Sequence, residues 1–241
     1  MTERYFAADA QAGAAALLDG PEAHHLIHVM RAKPGTEIML FDGRGAEFSA
    51  TVERIGRTEV ALRIAERRPI DRESASPITL AASLPKGDRQ KWLVEKATEL
   101  GVARLVAVQT ARSVAQPEPK ALERLRRTVV EASKQCGRNR LMEIAPPQRW
   151  ADFVAATADA SHRLLAHPGG TPLADFPQTG QEPLLAAIGP EGGFTDDEVA
   201  LAVDAGWQPI DLGPRILRIE TAAILLAALG SVSLASGETG E

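Results

Sequence analysis

The sequence predicts an α/β fold: a mainly parallel sheet with helices between its strands, preceded by a small β-rich domain. Three observations lead there. The first 70 residues hold short alternating runs broken by tight turns. A polar stretch with two prolines, RRPIDRESASP at 67–77, interrupts that pattern. Beyond it, apolar strand-like runs alternate with helical periods. Apolar residues make up 44% of the 241 and aromatics only 4%, with alanine and leucine dominant, which suits helices packed on a sheet better than a sandwich.

In the first part, EIMLF at 37–41, AEFSATVERI at 46–55 and EVALRIAE at 59–66 read as strands, with DGRG at 42–45 and Gly56-Arg57 as turns. Three closely spaced strands suggest a small barrel over residues 1–72, and the stretch at 67–77 reads as a linker. Residues 73–241 then form the second domain. ITLAASL at 78–84 is a strand, followed by a helix from about Asp88 to Leu100 that Gly101 ends. RLVAVQT at 104–110 is the next strand, and a long helix runs from about Pro119 to Gln135. LMEI at 141–144, RLLAH at 163–167 and LLAAIG at 184–189 follow as buried strands. Thr195-Asp-Asp-Glu is a capping box opening a helix that Gly206 ends. PIDL at 209–212 is the last strand and Glu220 to Leu234 the last helix.

One cysteine, Cys136, excludes an internal disulfide and a multi-cysteine zinc site. The N-terminus lacks the basic start and apolar run of a secretory signal. The longest apolar stretch, Ile219 to Ala235, is interrupted by Glu220, Thr221, Ser231 and Ser233 and reads as a buried helix. A cytoplasmic protein without a membrane span or a metal is expected. The net charge of −5 is unevenly spread. Residues 1–70 carry 9 Lys/Arg and 10 Asp/Glu (−1), residues 71–145 carry 14 and 9 (+5), and residues 146–241 carry 4 and 13 (−9). A polyanion would find its footprint in the middle segment.

That segment contains KALERLRRTVVEASKQCGRNR at 120–140. Leu122, Leu125, Val129, Ala132 and Cys136 recur at helical spacing as a buried stripe, while Arg124, Arg127, Lys134 and Arg138 lie on another face, with Arg126 and Arg140 nearby. Such a face either neutralises phosphates or is simply solvated. GPEGGF at 189–194 follows an apolar strand and precedes a capped helix, where open α/β sheets hold ligands. No Gly-Lys-Ser/Thr follows, so it is not a phosphate loop, and a plain β–α turn remains the other reading. LGPRILRIETA at 212–222 breaks a strand at Gly213-Pro214 and leads into a helix whose first turn holds Glu220. Glu220 reads equally as a helix-dipole partner and as a functional carboxylate. DGRGAEF leads into a strand and fits no dinucleotide loop; His24, His25 and His28 lack the partners of a zinc site.

Taken in order, HHLIHVMRAKPGTEIMLFDGRGAEFSA, KGDRQKWLVEKATELGV, RSV at 112–114, EASKQCGR, GPEGGF and LGPRILRIETA resemble the RsmE-type 16S ribosomal RNA methyltransferases of the SPOUT superfamily. The likeness spans residue 24 to about 230 and departs at Ile219, where threonine is usual, and at Cys136, where serine is. The resemblance implies an N-terminal PUA-like β-barrel that helps bind RNA and a mainly parallel α/β domain with a trefoil knot. It further implies S-adenosylmethionine as cofactor, a homodimer, and N3-methyluridine in the small-subunit RNA as product. By the same resemblance Arg218 and Glu220 are the candidate catalytic residues. Leu165, Ala166, Gly189, Gly192, Leu212, Gly213 and Leu217 are the candidate cofactor contacts, and Arg31, Arg89, Arg112 and Arg138 join Arg124 and Arg127 as candidates for RNA. Two alternatives stand beside this reading: a SPOUT enzyme acting elsewhere, such as a ribose 2′-oxygen of transfer RNA, and a noncatalytic RNA-binding assembly factor.

Overall fold

A computed structural model describes residues 3–113, 117–175 and 182–231. The chain divides into two compact units, one of residues through Glu73 with Val130–Leu141, the other of Ser74–Val129 with the residues from Met142 on.

The first unit is built on β1 (Arg4–Phe6), β2 (Ala15–Leu18), β3 (Glu37–Phe41), β4 (Ala46–Ile55) and β5 (Val60–Pro69), with a short helix α1 (Gly20–His24) running into a π-helical turn at His25–Val29. The strand order is β1-β3-β4-β5-β2. The small barrel expected from three strands is therefore a curled half-barrel of five. Register shifts at Ser49/Ala50 and Val52/Arg54 curl the ten-residue β4, because each bulge adds local twist. Alternate residues point inward, so that Tyr5, Leu26, Ile38, Leu40, Phe48, Val52, Leu62 and Ile64 form the core. β5 extends to Pro69, so the first residues of the expected linker are strand.

The segment 130–141 belongs to this unit, and its polar groups are largely consumed there. Arg138 is 4% exposed, and its Nε donates to Glu73 Oε1 at 2.8 Å. Lys134 Nζ pairs with Glu22 at 3.1 Å and lies 5.6 Å from the centre of the Tyr5 ring. Glu47 accepts from Arg4 at 2.8 Å and Arg72 at 3.3 Å. Burial works to raise the Glu47 carboxyl, but the hydrogen bonds and charges of Arg4 and Arg72 outweigh it and hold it below the usual range.

The second unit is a six-stranded sheet of β6 (Ile78–Ala82), β7 (Arg104–Gln109), β8 (Glu143–Arg149), β9 (His162–Pro172), β10 (Leu184–Ile188) and β11 (Gln208–Asp211), ordered β11-β9-β10-β6-β7-β8. Every neighbouring pair is parallel, as the alternation of strands and helices predicts. α2 (Asp88–Glu99) and α6 (Ile219–Ser231) pack together on one face, while α4 (Trp150–Ala156) and α5 (Asp196–Asp204) cover the other. On that second face Trp150, Phe153, Phe194 and Trp207 pack on Val106, Val108, Leu165 and Ala187. The long helix α3 (Pro119–Cys136) contributes residues to both units. Its stripe is buried from Leu122 to Ala132, but Cys136, expected at the end of that stripe, is exposed. Gly137, at φ 78°, turns the chain out of the helix directly after it.

Candidate active site

β9, β10 and β11 end side by side, and each is followed or interrupted by glycine. β9 carries an irregularity that the sequence reading cut short at His167. Pro209 of β11 pairs with Leu165, but the next residue, Ile210, pairs with Thr171, so Ala166–Gly170 are looped out of the ladder. The root of this bulge demands glycine: a Cβ on Gly170 would lie 2.5 Å from the Pro209 carbonyl carbon. After β10, GPEGGF closes a turn in which Gly193, at φ 69°, donates to Pro190 O at 2.8 Å. Thr195 then opens α5 with the predicted capping box, Thr195 Oγ1 accepting from Glu198 N and Glu198 Oε2 from Thr195 N. After β11, Leu212-Gly213-Pro214 leads through an exposed loop to α6.

These three segments wall a cavity of about 560 Å³, within the range of small-molecule sites. Ala166, His167 and Pro168 come from the bulge, Ile188 to Phe194 from the second segment, and Asp211 to Leu217 from the third, with Ile219 and Ala222 of α6 beneath. Side chains tie the walls to one another. Asp211 Oδ1 accepts from Gly213 N at 2.9 Å and Oδ2 from Gly169 N at 3.3 Å. Arg112 Nη1 donates to Gly192 O at 2.6 Å and Phe194 O at 3.3 Å. Arg89 lies between two carboxylates, 3.4 Å from Glu191 and 3.6 Å from Glu220.

The structure thus gathers Ala166, Gly189, Gly192, Leu212, Gly213 and Leu217 around one cavity. Leu165 is different: it is fully buried in the aromatic layer under the sheet and lines no part of the cavity. Arg218 stands between lining residues Leu217 and Ile219. Its carbonyl accepts the first bond of α6, from Ala222 N at 2.9 Å, while its exposed guanidinium has no partner among the described residues. Glu220 is 6% exposed in the first turn of α6, and its Oε2 accepts no hydrogen bond, Arg89 lying just beyond that range.

The arginines expected on RNA separate into two groups. Arg124 and Arg127 are exposed on α3, and Arg31 is exposed after the π-helical turn with φ 52°, unusual for a non-glycine residue. Arg89 and Arg112 also touch the GPEGGF segment, through Glu191 and the Gly192 carbonyl. Arg138 belongs to neither group: its guanidinium is buried against Glu73, so the exposed basic face of α3 does not reach it. Lys134 leaves that face for the same reason. Sequence reasoning missed Asp211, His167 and Pro168; the Gly-Gly pair at 169–170 was the available signal for the bulge.

The residues present fit a nucleoside cofactor bearing a positive centre. A Cβ on Gly189 would meet the Phe194 ring at 3.0 Å, and one on Gly192 would meet Arg112 Cδ at 3.2 Å. The backbone is therefore kept bare where the cavity is tightest. Glu191, Asp196 and Asp211 put carboxylates on its lining, and apolar Ile188, Leu212, Leu217 and Ile219 supply surface for a flat base. Among the described residues no cluster of His, Cys, Asp or Glu suits a metal ion, and no helix is long and apolar enough to cross a membrane.

Comparison with known proteins agrees with this geometry. Residues 72–231 match the RNA methyltransferase domain family and residues 18–65 the RNA methyltransferase PUA domain. Ribosomal RNA small subunit methyltransferase E of Mycobacterium bovis is 35% identical over 92% of this chain and 87% of its own. That of Bacillus subtilis is 32% identical over 90% and 88%. The crystal structure of ribosomal RNA small subunit methyltransferase E from Neisseria gonorrhoeae, bound to S-adenosyl methionine, is 27% identical. It covers 95% of this chain and 96% of its own, with a TM-score of 0.86. Fold, bare-backbone cavity and sequence agree: the chain belongs to the RNA methyltransferase family, with an N-terminal PUA-like domain and a parallel SPOUT-type sheet.

Proposed function

We propose that this chain uses S-adenosylmethionine to methylate N3 of one uridine in the 16S RNA of the small ribosomal subunit. The observation that carries the reading is the cavity at the carboxyl ends of β9, β10 and β11, in a chain of the RNA methyltransferase family. When bound, the cofactor supplies a methyl group on a sulfonium, transferable in line to a nucleophile. Ala166, Gly189, Gly192, Leu212, Gly213 and Leu217 hold it, and Leu165 supports the wall from beneath.

Neutral uracil carries a proton on N3 and shares that nitrogen's lone pair with two carbonyls, so the protein must favour the anion. Arg218 does this by donating to O2 or O4 as charge develops there; its carbonyl, just before α6, is fixed by the Ala222 amide while its guanidinium is free to reach substrate. Glu220 takes the N3 proton as the nitrogen–carbon bond forms, a role that suits a buried carboxylate with one oxygen unbonded. Arg31, Arg124 and Arg127 contact RNA, with residues 1–72 as an RNA-binding domain. The working form is a cytoplasmic homodimer.

Nucleoside analysis of 16S RNA from a deletion strain tests the reading. Loss of N3-methyluridine is the expected result. Loss of a 2′-O-methyl nucleoside would overturn the assignment of atom. Unchanged nucleosides, with no calorimetric binding of S-adenosylmethionine, would replace the enzyme with an assembly factor.

A further inference from the structure

Two of the three cavity walls are chain segments with little internal support. In the bulge at Ala166–Gly170, no residue pairs with β11, and Gly169 has a φ of 82°. In the loop after β11, Gly213 has a φ of 112° and Ile216 is 98% exposed. The ladder brackets the bulge, Leu165 pairing with Pro209 and Thr171 with Ile210, but no residue of Ala166–Gly170 or of the loop beyond Asp211 pairs across it, yet both segments line the same cavity. One side chain spans them. Asp211, the last residue of β11, directs Oδ1 to the amide of Gly213 at 2.9 Å and Oδ2 to the amide of Gly169 at 3.3 Å. Both amides sit on glycines with positive φ, a backbone conformation that glycine adopts without strain. A carboxylate is the one side chain of this length with two acceptor oxygens and no donor to spoil the fit.

We infer that Asp211 is a positioning residue: it latches the β9 bulge to the loop after β11 and so fixes the width of the cavity. The inference rests on the cofactor reading only for what the cavity holds; the latch itself is a property of the ligand-free chain. Asparagine at this position keeps the shape but presents an NH2 group to one of the two amides, so one half of the latch opens and the other stays. Alanine opens both.

Backbone amide exchange in the ligand-free full chain tests the latch directly. Each bond joins an N–H to an ionised acceptor, which predicts exchange about 10-fold faster or more at Gly169 and Gly213 in Asp211→Ala, and at one of them in Asp211→Asn. The amides of β10 should keep their rates. Calorimetry on the same variants should then show S-adenosylmethionine and S-adenosylhomocysteine losing affinity by the same factor, since a cavity of the wrong width serves neither. Unchanged exchange at both glycines overturns the latch. Loss of affinity for the sulfonium compound alone, with the neutral thioether unaffected, also overturns it, because Asp211 would then be meeting charge rather than holding backbone. A chain that binds neither compound even with Asp211 intact would refute the cofactor reading and leave the exchange result standing.

Discussion

Gly170→Ala is the sharpest test of how the cavity is made. The added methyl carbon would lie 2.5 Å from the carbonyl carbon of Pro209 and 2.6 Å from both Pro209 O and Ile210 N. Non-bonded carbons rest at about 3.5–4.0 Å, so the two chains must part by roughly 1 Å. Neither can yield by a side-chain rotation, because every atom in the contact is backbone. Overpacking of this kind costs about 1–3 kcal/mol, and a contact between two backbones belongs at the upper end. For a chain of this size, about 3 kcal/mol lowers the melting temperature by roughly 6–12 °C. Gly169→Ala is the control: nothing lies within 4 Å of its Cβ, and only its φ of 82° is strained. That strain is worth about 1–2 kcal/mol, or roughly 2–8 °C. Calorimetric melting of both variants beside the parent, with cofactor titration at 25 °C, reads both consequences. Gly170→Ala should melt lowest and bind S-adenosylmethionine at least about 10-fold more weakly, since Ala166 to Pro168 move with the bulge. If Gly170→Ala melts with the parent, or above Gly169→Ala, the close approach of bulge and β11 is not what shapes the site.

The other predictions address chemistry, RNA and pH. Arg218→Ala should lower turnover by about 10²–10³ while changing cofactor affinity little; equal losses in both would remove it from the reacting centre. Arg124 and Arg127 changed together to glutamate should flatten the salt dependence of RNA binding by about 0.7–0.9 for each phosphate no longer neutralised, and an unchanged slope would exclude α3 from the footprint. Arg138→Ala should leave that slope alone and instead destabilise the first unit by about 3–5 kcal/mol, as a broken buried ion pair does; a normal melting curve would contradict its burial. Glu47, depressed in the fold, contributes stability that is present above its ordinary 4.5 and is lost as pH falls through its lower folded value. Acid unfolding of Glu47→Gln should therefore depend less steeply on pH below about 4.5, and a curve as steep as the parent's would show that Arg4 and Arg72 do not hold that charge.

The candidate site was largely legible in the sequence because its signals are local. A capping box at Thr195 is four consecutive residues, and GPEGGF and LGPRILRIETA declare a broken strand by composition alone. The order of strands in the first unit was not legible in the same way. β1 has three residues, RYF, and pairs in parallel with β3 at Met39–Phe41, which no short-range pattern announces. The β9 bulge escaped because its consequence lies in β11, some 40 residues further on. The basic residues of 120–140 share a helical spacing, but whether each faces solvent was decided by Glu22 and Glu73, far away in the chain. Arg89 and Arg112 carry the same lesson. A sequence shows a positive charge; only the fold shows that it is already spoken for.

The strand order has a consequence for how the protein comes into being. β6, β7 and β8 can pair among themselves early in synthesis, but β6 meets its inner neighbour only when Ile78 pairs with Leu184 of β10. α6 then seals that junction, with Gly230 so close to Ile78 and Leu184 that a Cβ there would sit 2.8 and 2.9 Å from them. Such long-range pairings are the slow ones. Apart from Arg112, the residues lining the cavity belong to this late half, and a nascent chain halted before α6 lacks Ile219 and Ala222 beneath its walls. The cavity is therefore complete only in a chain that includes α6.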